Sequence, residues 1–221
     1  MHRFFAILVL VGCGLSMTAC DSLYYKTMKK FGVEKRDILV KRVRAARESQ
    51  QKGKEEFKSA LDRFKSVVAT DGGTLDEKYN ALNRELERSE DRADEIHDRV
   101  KAVKDVAEDL FKEWEKELGQ YDDRRLRAES ERELRETKRR AQTVITAMEN
   151  AEKRVDPVLQ PLRDRVLFLK HNLNAAAIGA LDKELLALRT NVDALVTDLE
   201  SSIAEAETFI SQMDAEAAST S

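Results

Sequence analysis

Apolar residues recur along most of the chain at alternating intervals of four and three. The first repeat runs from Leu39 to Val67, and the second runs from Leu75 to Trp114 with one polar member, Ser89. This spacing places the apolar residues on one face of a helix and is typical of coiled coils. The pattern predicts an all-α fold, an elongated antiparallel helical bundle or coiled coil of about four long helices.

The first two repeats are separated by the stretch ATDGGT at residues 69–74, in which Asp-Gly-Gly is a strong turn signal. Thr74 and Glu77 have the spacing of a capping box, which predicts the start of the second helix. A helix from Leu75 to Leu118 spans about 66 Å. We therefore predict two long antiparallel helices joined at the glycines.

The register of this pair follows if the turn centres on the two glycines. The apolar faces of the two helices then meet, and the small or polar members of one repeat fall opposite those of the other. Gly53 is predicted to lie opposite Ser89, and Gln50 opposite Ala93. Such a layer of small and polar residues predicts a constriction where the two backbones approach or water enters, or alternatively a gap that a side chain from a third helix fills.

A third repeat runs over residues 137–173 and a fourth over residues 177–213. Asp156-Pro157 and Pro161 fall inside the third repeat. Proline is unfavourable in a helix interior but comfortable at a first helical position, where Asp156 would act as N-cap. We predict a kink or a brief break there. The predicted organisation is a signal peptide at 1–19, an anchor cysteine with a membrane-proximal segment at 20–37, the bundle at 38–214 and a frayed tail at 215–221.

Composition agrees with long helices. The 221 residues include 8 Gly and 2 Pro, and 37% are charged with a formal net charge of −3. The scarcity of turn residues favours helix, and the absence of a basic excess argues against a nucleic-acid partner. The apolar repeats argue against disorder, which is the other interpretation of such charge.

Residues 1–19 have the features of a secretory signal: a weakly basic start, a short apolar run and small residues at its end. The letters MTAC at residues 17–20 resemble the bacterial lipobox, in which a signal peptidase cuts before a cysteine that carries a diacylglycerol. We predict lipidation at Cys20, with palmitate among its acyl chains. Cys13 offers an alternative site, and an ordinary secretory signal is a third interpretation.

The segment after Cys20 combines aromatic and basic residues. Tyr24, Met28 and Phe31 share one helical face, with Tyr25 beside them and lysines around them. These four residues are candidates for contact with the membrane interface, where tyrosine and lysine are favoured. The alternative is that they cap the end of the bundle.

Few residues suggest chemistry. His97 is predicted to be a surface imidazole, and His171 lies near the end of a predicted helix; neither has the spacing of a metal site. Gly72-Gly73 lacks the lysine and hydroxyl residue of a phosphate loop. We expect no enzyme activity, no catalytic residue, no metal and no cofactor.

Two segments carry a family resemblance: SLYYKTMKKFGVEKRDILVKRV after the cysteine, and DPVLQPLRDRVLFLKHNLNAAAI further on. With them, the mature chain resembles the DUF2959 family of Gram-negative envelope proteins along essentially its whole length. The resemblance implies an envelope location and agrees with Cys20 as the lipid site. It implies no activity, cofactor or catalytic residue.

The sequence therefore favours a lipid-anchored protein of the bacterial envelope that faces the periplasm and acts as a spacer or interaction scaffold. Alternatives are a membrane-surface or membrane-shaping helical module and a binder of cell-wall polysaccharide. Asp21 resembles an inner-membrane retention signal, and the outer membrane is the alternative. The expected partners are membrane lipid, through the acylated cysteine, and an envelope protein whose identity the sequence does not give. Self-association is a further possibility.

Overall fold

The computed structural model describes the backbone of residues 18–69, 74–172 and 175–219, and the side chains of residues 35–69, 74–172 and 185–218. The described backbone forms helices and contains no strand, so the all-α prediction is confirmed. The helices are α1 (Thr18–Ala69), α2 (Leu75–Leu118), α3 (Arg124–Lys153), α4 (Val155–His171) and α5 (Ala175–Ser219). Because one residue separates α3 from α4, these two helices form a single interrupted arm, and the bundle has four long arms.

The arms form an up-down-up-down bundle in which each arm packs mainly against two others. α1 lies beside α2 and α5, and the α3–α4 arm lies beside the same two helices on the opposite side. Ion pairs between α1 and α5 fix their direction, because Arg47 pairs with Glu207 at 3.6 Å and the later Lys54 pairs with the earlier Glu200 at 3.4 Å. The elongated antiparallel bundle is the predicted architecture.

The predicted start of α2 is the observed one. The Thr74 hydroxyl accepts a hydrogen bond from the backbone N–H of Glu77 at 3.2 Å, and the Glu77 carboxylate accepts one from the backbone N–H of Thr74 at 2.7 Å. This reciprocal pair satisfies two of the N–H groups that a helix start leaves open. α3 begins in a similar way, with the carboxylate of Asp123 accepting from the N–H of Arg125 at 2.7 Å.

The break between α3 and α4 lies at Arg154, slightly earlier than the prolines suggest. Asp156 is therefore not the N-cap of α4, as the sequence predicts, but a residue of its first turn. Pro157 is tolerated in that turn because the first N–H groups of a helix have no intrahelical partner. Pro161 lies inside α4 and leaves the carbonyl of Pro157 without its usual donor. The side-chain amide of Asn191, on α5, donates to that carbonyl at 2.9 Å.

The predicted repeats form the core. Every member of the first repeat is buried, as are the members of the third repeat from Thr137 to Leu169. Because each arm packs against two neighbours, the buried face is wider than the repeat. Additional buried residues are Leu61, Phe111, Ile145, Val158, Val196 and Phe209. α5 continues past residue 214, where the sequence predicts a frayed tail, and Arg140 of α3 pairs with its Glu216 at 2.5 Å.

The predicted register of α1 against α2 is wrong. A Cβ atom at Gly53 would lie 2.5 Å from Cδ1 of Ile96 and 3.6 Å from Cγ of Arg92, so Gly53 faces a position further along α2 than Ser89. A large side chain fills the space that the glycine leaves. The prediction failed because it centred the pair on the turn and matched small residues with small ones, whereas packed helices interdigitate large with small.

Candidate functional site

The predicted anchor lies at the N-terminal part of α1. The backbone of Cys20 and of the four candidate interface residues belongs to this helix, which begins at Thr18. The side chains of Cys20, Tyr24, Tyr25, Met28 and Phe31 lie outside those that the structure describes. Lipidation at Cys20 and membrane contact by the aromatic residues therefore stay predictions.

The first described side chains that follow this segment belong to a cluster at the same end of the bundle. We call it the Trp114 cluster, and its members are Lys35, Arg36, Glu113, Trp114, Glu117, Ser130 and Glu133. The guanidinium carbon of Arg36 lies 4.1 Å from the centroid of the Trp114 ring, and its Nη2 lies 3.5 Å from Oε2 of Glu133. Stacking of this kind is a cation–π contact. Through Arg36 and Trp114 the cluster joins α1, α2 and α3.

The tryptophan of this cluster is nearly buried, with 8% of its surface exposed. Its indole N–H donates to the hydroxyl of Ser130 at 2.9 Å. A buried indole that finds such a partner combines a large apolar contact area with a satisfied polar group. The sequence identifies Trp114 as a core residue, but Ser130 and Arg36 lie on other helices and helical periodicity does not reveal them.

Carboxylates of α2 complete the Trp114 cluster. Nζ of Lys35 lies 2.5 Å from Oε2 of Glu113. Partial burial raises the pKa of Glu117, the negative charge of Glu113 raises it further, and Lys35 opposes both effects. Exposed apolar side chains lie near the same end, including Ile38 of α1 and Leu126 of α3, which are 43% and 46% exposed.

A second group of residues lies about halfway along α1 and contains polar atoms inside the core. We call it the Gln50 layer, and its members are Gln50, Gly53, Ile96 and Ser202. The Ser202 hydroxyl donates to Oε1 of Gln50 at 2.7 Å, and both residues are fully buried. Within the part of the chain that the structure describes, Nε2 of Gln50 has no hydrogen-bond partner. The sequence predicts Gln50 opposite Ala93 of α2, whereas its hydrogen-bond partner belongs to α5.

His97 is a surface residue, as predicted, with 60% of its side chain exposed. Its Nδ1 lies 2.6 Å from Oε1 of Glu152 on α3. The hydrogen bond to Glu152 raises the pKa of His97, and the charge of the same carboxylate adds to the effect. The pair forms one of several charged contacts between arms, together with Lys104–Glu149 and Arg154–Asp198.

Among the side chains of residues 35–69, 74–172 and 185–218, no three or more His, Cys, Asp or Glu residues are grouped so that they could hold a metal ion. No helix within the described residues is both long and apolar enough to cross a membrane.

A comparison with protein families identifies the group to which the bundle is related. The family described as a protein of unknown function (DUF2959) matches residues 24–213, which is most of the chain. The chain belongs to the DUF2959 family. The part of this DUF2959 protein that matches begins within the predicted membrane-proximal segment and ends near the end of α5. No curated protein matches it.

Proposed function

We propose that this DUF2959 protein is a lipid-anchored spacer or interaction scaffold of the bacterial envelope that faces the periplasm and performs no catalysis. The observation that carries the proposal is the continuity of α1. This helix of 52 residues begins before Cys20 and ends at Ala69, a length of about 78 Å. An acyl anchor at Cys20 would therefore be joined to the bundle by helix rather than by a flexible linker, and the anchor would set the direction of the whole rod.

The surface of the rod supports a scaffold. Many charged side chains pair with opposite charges on a neighbouring arm, as Arg163 does with Glu90 at 2.5 Å and Lys138 with Glu115 at 2.9 Å. Such pairs contribute little stability individually but favour one arrangement of the arms over others. A rigid rod of defined length is what a spacer requires.

Two alternatives receive unequal support. A polysaccharide binder needs several exposed aromatic side chains side by side, whereas Trp114 is buried beneath Arg36 and the exposed Tyr121 and Phe168 lie at opposite ends of the bundle. A membrane-surface module is the stronger second candidate, because Ile38, Tyr121 and Leu126 expose apolar surface at the end of the bundle that carries the predicted anchor. In that case this end of the bundle would itself contact the lipid headgroups.

The first experiment tests the anchor. Cells expressing the full chain are labelled with palmitate, and the Cys20→Ser variant is compared with Cys13→Ser as its matched control. We expect the natural chain and Cys13→Ser to carry label in the membrane fraction, and Cys20→Ser to lose both the label and membrane attachment. Unlabelled natural chain would contradict the anchor, and loss of label only in Cys13→Ser would move it to the alternative site.

The second experiment tests the rod. A flexible Gly/Ser stretch inserted between Phe31 and Lys35 separates the anchor from the bundle without removing either. We expect palmitate labelling to persist while crosslinks to envelope proteins in living cells, identified by mass spectrometry, change or disappear. An unchanged set of crosslinks would show that rigid attachment has no role. Deformation of lipid vesicles by the lipidated protein would favour the membrane-shaping alternative.

A further inference from the structure

A cleft lies between α1 and α2 towards the end of the bundle that is remote from the predicted anchor. We call it the arginine cleft. It has a volume of about 250 Å³ and is lined by Arg63, Ala81, Arg84, Glu85 and Arg88. Arg63 belongs to α1 and the other residues to α2. Arg84 and Arg88 are one helical turn apart, so both side chains reach the same face of α2.

The cleft has an excess of positive charge. Three arginines line it together with one acid, Glu85, which is 6% exposed. Oε2 of Glu85 lies 3.6 Å from Nη1 of Arg88. Arg63 and Arg84 have no carboxylate partner within the residues whose side chains are described. Some arginines elsewhere on the rod, such as Arg44 and Arg163, pair with an acid on another arm, whereas Arg63 and Arg84 line one cleft together.

We propose that the arginine cleft binds a phosphate group. The two oxygens of a carboxylate lie in one plane and can both accept hydrogen bonds from a single guanidinium group. The oxygens of a phosphate point in several directions and can accept from several guanidinium groups. Arginines carried by two helices, Arg63 on α1 and Arg84 and Arg88 on α2, suit the second geometry. Glu85 pairs with Arg88, and its negative charge moderates the attraction for an anion.

The phosphate that occupies the cleft is either free in solution or part of a larger molecule such as a lipid headgroup. Arg63 lies about 65 Å along α1 from Cys20. A lipid phosphate in the cleft would therefore belong to a surface other than the anchoring membrane. The inference that such a lipid belongs to another surface rests on the proposed function, whereas the proposal of phosphate binding does not.

The test begins with inorganic phosphate, titrated into the purified full chain in detergent and followed by calorimetry at constant ionic strength. We expect saturable binding that weakens about tenfold or more in Arg63→Gln and in Arg84→Gln, because each loses a charge-assisted contact. Glu85→Gln should tighten binding several-fold by removing a like charge. Arg99→Gln is the matched control on the exposed surface of α2 and should leave the affinity unchanged.

Three outcomes would overturn the proposal: no saturable binding of phosphate, equal weakening in Arg99→Gln, or acetate and citrate competing as well as phosphate does. Circular dichroism confirms that each variant is folded. Arg63→Lys serves as a second variant, since it keeps the charge but loses the fork, and it should bind with intermediate affinity.

A separate experiment distinguishes a free phosphate from a lipid phosphate. Vesicles of phosphatidylglycerol are compared with vesicles of phosphatidylcholine, using the Cys20→Ser chain so that no acyl anchor contributes. Binding to phosphatidylglycerol that Arg63→Gln abolishes supports a lipid phosphate. Binding of inorganic phosphate alone supports a soluble one. Because this vesicle experiment needs no lipidation, its result can be interpreted even if the anchor experiment shows no lipid at Cys20.

Discussion

The Trp114 cluster and the Gln50 layer satisfy their buried polar groups in different ways. Trp114 brings one N–H into a nearly buried position, and Ser130 accepts from it at 2.9 Å. Gln50 brings a whole amide into the core, where its oxygen accepts from Ser202 while its nitrogen has no partner among the described residues. The first arrangement combines large apolar burial with a satisfied group. The second leaves part of a desolvation cost uncompensated.

This difference indicates two roles within one core. The tryptophan contributes stability through its area and its contact with Arg36. We expect the glutamine to contribute selectivity, because in the observed alignment of α1 against α5 its oxygen accepts a hydrogen bond from Ser202. A single buried polar residue that fixes register at some cost in stability is well attested in coiled coils.

The largest effect is expected at Trp114. Trp114→Ala removes the ring, its hydrogen bond to Ser130 and the surface on which Arg36 stacks. We expect a loss of about 3–5 kcal/mol in the free energy of unfolding, measured with urea. Trp114→Phe is the control, since it keeps most of the apolar area and should cost clearly less. A loss below about 1 kcal/mol in Trp114→Ala would contradict a stabilising role for the cluster.

A smaller effect on the free energy of unfolding is expected in the Gln50 layer, where a single change should destabilise the fold and a double change should not. Ser202→Ala leaves the Gln50 amide without its one partner and should cost about 1–3 kcal/mol in the free energy of unfolding. The double change Gln50→Leu with Ser202→Ala replaces both partners by apolar groups and should restore or exceed the natural stability. Ser201→Ala, at the exposed neighbouring position, is the control. A double variant that is less stable than Ser202→Ala would assign the pair a stabilising role instead.

The glycine of the same layer offers a test of the register. Gly53→Ala gains about 1 kcal/mol of helix propensity but places a methyl group against Cδ1 of Ile96, at a cost of about 1–3 kcal/mol. We expect net destabilisation in the natural background and net stabilisation once Ile96→Val has removed that methyl group. The readout is a double-mutant cycle on the free energy of unfolding.

Gly119→Ala is the control for this cycle, because a Cβ atom there meets only a backbone oxygen of Lys116 at 3.5 Å. Its effect on the free energy of unfolding should be the same with and without Ile96→Val. Additive effects of Gly53→Ala and Ile96→Val would mean that the two residues do not touch and that the observed register is incorrect.

The smallest effect concerns pH near the Gln50 layer. The pKa of His97 is raised in the folded protein by Glu152, so the folded state binds the proton more tightly than the unfolded chain does. Its contribution is fully present below the unfolded value near pH 6.5 and is lost as the pH rises through the folded value. Because the side chain is exposed, we expect about 0.5 kcal/mol or less.

His97→Gln should abolish this part of the pH dependence when thermal unfolding is followed between pH 5 and pH 8. Trp114→Phe leaves His97 and Glu152 in place, so the part of the slope that is due to His97 should persist in that variant. A slope that persists in His97→Gln would assign the titration to another group.

Sequence reasoning succeeded where the information is local and periodic. The capping box of Thr74 and Glu77, both ends of α2 and the buried first repeat all follow from spacing within one helix. It failed where an arrangement depends on how separate helices are offset. The partner of Gln50 lies 152 positions away on α5, and the contact of Gly53 with Ile96 depends on an axial shift that no single repeat contains. The arginine cleft was missed for the same reason, since Arg63 and Arg84 come together only across the pair α1–α2.

The break at Arg154 has a mechanical consequence. α1, α2 and α5 pass its level as continuous helices, whereas the α3–α4 arm crosses it through one residue that belongs to neither helix. A bundle under load bends most easily towards the helix that resists bending least. The α3–α4 arm is that helix, so we expect the bundle to bend preferentially in one direction. Next to that weak point, the amide of Asn191 fastens the backbone of Pro157 to the uninterrupted α5. This hydrogen bond ties the α3–α4 arm to its neighbour beside the break, and we expect the break to act as a braced joint rather than a free hinge.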